Sequence, residues 1–140
     1  VINLFTEKYK NANIDVVAGI EARGFILGAA LAYTLKKGFV PIRKKGKLPG
    51  KTISQSYQLE YGSDIIEIHD DAISKGQKVL LIDDLIATGG TALGAISLIE
   101  QVGGVVHETA FVIDLPELGG ADKIKARGHG VYSIMDFAGH

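Results

Sequence analysis

The chain has 140 residues, 46% of them hydrophobic and 22% charged, with a net charge of −1 and no cysteine. That length suits a single domain able to bury about two-thirds of its unfolded surface, and the composition favours a packed core over disorder. Near-neutral charge speaks against a nucleic-acid partner and the missing thiols exclude disulfides and cysteine catalysis, while no secretory signal and no apolar run of roughly 20 residues is visible, so a cytoplasmic protein without a membrane span is the expectation.

From Val1 onward the first ten residues put Ile2, Leu4, Phe5 and Tyr9 on a rough helical stripe. They read as the middle of a helix, so a fragment lacking its true N-terminus is expected. Residues 15–20 form a short apolar strand. A helix over 23–37 follows, with Gly24 and Gly28 one turn apart so that backbone can approach the sheet. Lys36 and Lys37 complement its dipole and Gly38 suits the C′ position. Residues 39–42 read as the second strand, and 43–51 as a basic stretch broken by Gly and Pro. Over 52–68 the apolar residues Ile53, Tyr57, Leu59, Tyr61, Ile66 and Ile68 alternate loosely around a break at 62–64. That pattern predicts a two-stranded excursion off the main sheet. Lys75-Gly76 turns into a central strand at 78–83, and a helix over 91–102 stops at Gly103-Gly104. A strand at 105–115, a short helix at 117–126 and a last strand at 130–137 complete the chain. Strands alternating with helices predict one α/β domain over 1–140, a doubly wound, mainly parallel sheet of about five strands flanked by helices.

The central strand carries the chemistry. Val79 to Ile82 is apolar without alternation, as in a strand buried on both faces, and it ends in Asp83 and Asp84. Open α/β sheets place their ligand crevice at such strand ends, where carboxylates accept hydrogen bonds from sugar hydroxyls. Ala87, Thr88, Gly89, Gly90 and Thr91 then open a helix with backbone N–H groups and two hydroxyls, the makings of a phosphate site. An acidic pair alone reads as a solvated strand end; the glycine loop beside it favours a ligand. Arg23 sits where a helix start disfavours a cation, a penalty that a bound anion removes.

A rival reading takes 46–52, Gly46-Lys47-Leu48-Pro49-Gly50-Lys51-Thr52, as a Walker A loop. That motif needs four residues between its glycines and must open a helix. Here there are three, and Thr52-Ile53-Ser54 continues in strand-like residues, so the nucleotide-hydrolase reading fails its own structural test. Arg43, Lys44, Lys45, Lys47 and Lys51 alone read as a solvated basic loop, and Tyr57 and Tyr61 do not form a base-stacking platform by spacing. His69, His107, His129 and His140 show no metal-ligand spacing and read as surface histidines.

Residues 79–91 resemble the phosphoribosyl-diphosphate (PRPP) signature of the type I phosphoribosyltransferases. Glu21-Ala22-Arg23-Gly24-Phe25 resembles that family's pyrophosphate loop, and 43–50 with 56–62 its flexible catalytic loop, here spanning about 43–68. Order and spacing agree over nearly the whole chain, and the details are most similar to the adenine phosphoribosyltransferases. The resemblance implies purine salvage, adenine plus PRPP giving AMP and pyrophosphate, in a homodimer. Mg²⁺ would be carried on the PRPP diphosphate, with no direct protein ligand. It implies Asp83 and Asp84 on the ribose hydroxyls, Ala87 to Thr91 on the 5′-phosphate, and Glu21, Ala22, Arg23, Gly24, Arg43, Lys44 and Lys47 around pyrophosphate. Arg23 and Lys47 would be catalytic, Glu60 the proton-transfer group, and Tyr61 would pack over the site. A non-proline cis peptide between Glu21 and Ala22 is also implied. The family's N-terminal hood has no counterpart in these residues. A xanthine- or hypoxanthine-type transferase and a non-catalytic PRPP-sensing regulator are the alternatives; a complete basic lid and Glu60 favour the enzyme.

Overall fold

A computed structural model describes residues 1–59 and 62–138. Helix α1 (Ile2–Tyr9) precedes β1 (Val16–Ile20), α2 (Arg23–Leu35) and β2 (Gly38–Lys44). The hairpin β3 (Thr52–Leu59) and β4 (Gly62–His69) leads to β5 (Lys78–Ile86) and α3 (Gly90–Gln101). Strand β6 (Val105–Asp114), a 3₁₀ turn (Pro116–Leu118), α4 (Gly120–Ala126) and β7 (Val131–Asp136) follow.

All seven strands join one sheet in the order β3-β4-β2-β1-β5-β6-β7. The five from β2 to β7 are parallel, as the alternation of strands and helices predicts. The hairpin corrects two expectations, five strands and an excursion off the sheet. It extends the β2 edge antiparallel through Arg43↔Glu67 and Lys44↔Ile66. Its alternation showed a half-buried ribbon, but nothing local identified β2 as the partner.

Both faces of the parallel core are covered, which is why its strands show no polar alternation. On one face Val16, Ala18, Ile20, Val79, Leu81 and Phe111 pack with Ala95, Ile96, Leu98 and Ile99 of α3 and Ile124 of α4. On the other Val17, Leu80, Ile82 and Ala110 meet Phe5 and Tyr9 of α1 and Leu31 and Ala32 of α2. Gly28 lets α2 lie close, since a Cβ there would stand 2.5 Å from a Phe39 ring carbon.

Two boundaries differ from expectation for physical reasons. Helix α2 ends earlier, with Lys36 rather than Gly38 in the left-handed conformation (φ 59°), and the Lys37 N–H donates to Ala32 O at 2.9 Å in a Schellman-type closure. Gly38 is thereby free to open β2 opposite Val16. Strand β5 runs past Asp83 to Ile86 because β6 keeps pairing with it, Leu85↔Ile113 and Ile86↔Asp114. Its other neighbour, β1, pairs only as far as Gly19↔Ile82. The acid pair therefore borders a gap that opens on the β1 side alone.

Candidate active site

That gap is the switch point of the sheet, where β1 leads outward to β2 and β5 outward to β6. Doubly wound folds hold their ligands in this crevice. Three segments meet there. The first is the turn from β1 to α2. Its Glu21–Ala22 peptide is cis, as the resemblance implies. Arg23, the first residue of α2, puts Nε 2.7 Å from Asp84 Oδ2 while its side chain stays 79% exposed. Asp84 thus offsets the unfavourable cation at the helix start, and the ion pair joins this turn to the acid pair. Gly24 is held against β5, where a Cβ would come 3.0 Å from Asp83 Oδ1.

The second segment is the end of β5. Asp83 Oδ1 accepts the Asp84 N–H at 2.8 Å. Burial pushes the Asp83 carboxyl up, to about 8, and the Asp84 carboxylate adds to the rise, against the Asp84 N–H and the Arg23 charge. One carboxyl of the pair therefore holds its proton near neutrality. Leu85 follows, 38% exposed, as an apolar lip on the same cavity.

The third is the loop from Ala87 to Thr91. Gly89 takes φ +89° and caps α3 with no side-chain hydrogen bond, which leaves the first amides of the helix free of a side-chain acceptor. A cavity of about 210 Å³ is lined by residues 83–92. It adjoins one of about 240 Å³ lined by Glu21, Ala22, Arg23, Lys44, Tyr57, Asp83, Asp84 and Thr91, among others. The two share Asp83, Asp84 and Thr91. A larger groove, about 510 Å³, lies between β3, α3 and α4 and touches the loop only at Thr88 and Gly90; it contains neither aspartate. The acid pair, the turn at Glu21–Ala22 and the glycine loop all border the smaller pair.

The basic segment borders the second cavity. Glu21 Oε1 accepts from Arg43 Nε at 3.2 Å and from the Lys44 N–H at 2.8 Å. Burial would raise the Glu21 carboxyl, but these donors and the charges of Arg43 and Lys47 outweigh it and hold the group below its usual range. The carboxylate of Glu21 is thus turned to the basic segment. Glu60 and Tyr61 lie outside the described residues. Among the described residues no group of three or more His, Cys, Asp or Glu is arranged to hold a metal ion.

Tertiary contacts bring in residues that the sequence did not single out for the site. Tyr57, 7% exposed, lines the cavity from β3 and stands beside Thr91. Behind the phosphate-type loop, Lys123 Nζ donates to Thr88 O at 3.1 Å and the Gly120 N–H to Ala87 O at 2.9 Å. No local signal marks any of these; each depends on an element distant in sequence. Gly90 is also needed for packing, since a Cβ there would fall 2.0 Å from Gln58 O.

The chain as a whole is similar to known proteins. The phosphoribosyl transferase domain family matches residues 1–129. The adenine phosphoribosyltransferases of Chlorobium limicola and Chlorobium chlorochromatii are 59% and 60% identical, each alignment covering 99% of this chain and 80% of the relative. The crystal structure of adenine phosphoribosyltransferase from Rhodothermus marinus matches with a TM-score of 0.91 at 50% identity, covering 97% of this chain and 77% of that one. The Saccharomyces cerevisiae enzyme, complexed with an imino-altritol bisphosphate and adenine, matches with a TM-score of 0.87 at 42% identity, covering 95% of this chain and 76% of that one.

Proposed function

This chain belongs to the phosphoribosyltransferase family, as an adenine phosphoribosyltransferase of purine salvage, and from that premise we propose how its crevice works. The reaction converts adenine and PRPP to AMP and pyrophosphate. That kinship does not favour the xanthine- or hypoxanthine-type transferase or the PRPP-sensing regulator.

In our reading the 5′-phosphate takes the place of a side-chain cap on α3, held by the amides and hydroxyls of Ala87 to Thr91. The observation that carries the assignment is this uncapped helix start sharing one cavity with Asp83 and Asp84. Ribose hydroxyls then donate to the aspartates. Arg23, released from Asp84, turns with Arg43, Lys44 and Lys47 to the diphosphate. The base rests on the exposed Leu85. As the C1′–oxygen bond to diphosphate breaks and the bond from the base nitrogen to C1′ forms, charge builds on the leaving group. Preplaced cations favour that step. Glu60 takes the proton the base loses. Carried on the PRPP diphosphate, Mg²⁺ would supply further positive charge to the leaving group beside Arg23, Arg43, Lys44 and Lys47.

We further propose a cytoplasmic homodimer. Helix α2 exposes Ile26 (75%) and Tyr33 (85%) on the helix whose first residue is Arg23, so a second copy seated there would abut the site. The site assignment is tested with Asp83→Asn/Asp84→Asn. Calorimetric titration should find PRPP binding weakened at least about a hundredfold, with an unchanged circular dichroism spectrum. Wild-type affinity in the folded double variant would remove the ribose role.

A further inference from the structure

Among the described residues Glu67 is the charged residue least exposed to solvent, at 7%. Burying a carboxylate is costly, and its hydrogen bonds here come from neutral donors. Oε1 accepts the Gly46 N–H at 2.9 Å and Oε2 the Thr52 hydroxyl at 3.1 Å. Arg43, its register partner across β2 and β4, sends its guanidinium to Glu21 instead. Gly46 and Thr52 bracket the basic turn, so a single carboxylate ties its two limbs together. Other contacts act on the same segment, among them the Lys45 N–H donating to Ile65 O at 3.0 Å and Lys51 O accepting the Asp70 N–H at 3.2 Å. Glu21 holds its entry through the Lys44 N–H, and His69 Nε2 lies 2.8 Å from Pro49 O at the far end. Within the held segment Lys44 lines the cavity and Lys47 lies near Glu21.

We propose that Glu67 is a positioning residue for the diphosphate end of the site, a clamp that holds the Lys44–Lys51 strap so that Lys44 stays in the cavity wall and Lys47 stays near Glu21. The proposal rests on the PRPP reading of that pocket. Its charge is not what matters; its two hydrogen bonds, one to each limb, are. This separates the clamp from a simple field effect. If Glu67 acted only as a negative charge near lysines, removing that charge would strengthen binding of an anionic diphosphate in any variant.

The test compares Glu67→Ala, Glu67→Gln and Thr52→Val by steady-state AMP formation and by hydrogen exchange at the Gly46 amide without ligand. Glu67→Ala leaves the Gly46 N–H without its acceptor and should raise the PRPP KM about tenfold, with the adenine KM within about twofold of wild type. Glu67→Gln keeps an acceptor for Gly46 and can donate its NH2 to the Thr52 hydroxyl oxygen, so it should stay near wild type. Thr52→Val removes one tie and should raise the PRPP KM about threefold. Exchange at Gly46 should accelerate about tenfold or more in Glu67→Ala. Since KM is a property of folded molecules, a loss of stability does not imitate this pattern. A PRPP KM at or below wild type in Glu67→Ala, parallel rises for both substrates, or unchanged Gly46 exchange would each overturn the clamp. If wild type bound no PRPP while Gly46 exchange still responded, the clamp would stand and the PRPP reading would fall.

Discussion

Replacing Asp83 by asparagine removes a carboxyl whose proton affinity the fold has raised to about 8. The native state then holds a proton that the unfolded chain gives up near pH 4, so the unfolded state binds fewer protons across that interval. The contribution of Asp83 to wild-type stability therefore falls as pH rises from about 4 to 8. A full one-proton difference is worth about 1.4 kcal/mol per pH unit, which sets a ceiling of about 4 kcal/mol between pH 5 and 8. Partial solvent access and the neighbouring Arg23–Asp84 pair reduce this, and about 1–2 kcal/mol is the expected effect. The asparagine side chain is isosteric with the protonated acid and has nothing to titrate. Urea denaturation at pH 5 and pH 8 should show Asp83→Asn gaining that amount on wild type as pH rises, with unchanged m-values. An equal stability difference at both pH values would refute a raised proton affinity at Asp83 and, with it, the view that burial beside Asp84 governs this pair.

Gly90→Ala places a methyl group on Gln58 O, so the hairpin must leave α3 or the loop must shift. The PRPP KM should rise at least about tenfold, well beyond an ordinary Gly-to-Ala effect in a helix; a near-wild-type KM would show that the hairpin does not bear on this loop. Ile26→Asp with Tyr33→Asp should convert a dimer to a monomer in light scattering at micromolar concentration, whereas an unchanged mass would locate the interface elsewhere.

The central motif was legible because its logic is local. An unbroken apolar run from Val79 to Ile82 reads as a strand covered on both faces, and Asp83, Asp84 and the glycines that follow occupy one strand end and one helix start. Helix and strand order, the parallel core and the cis peptide between Glu21 and Ala22 follow from patterns within a few residues or from family likeness. What escaped was everything that depends on who lies opposite. The hairpin's place in the sheet, the Arg23–Asp84 ion pair, Tyr57 beside Thr91, the support from Gly120 and Lys123, and the Glu67 clamp all join segments distant along the chain.

Chain order alone therefore determined which residue types reach the crevice: spacing fixes which side chains share a strand end or a helix turn. Only the folded arrangement decided what charge and protonation they carry there. Desolvation and pairing depend on neighbours in space, and nothing in the spacing of Asp83, Arg23 or Glu67 specifies those.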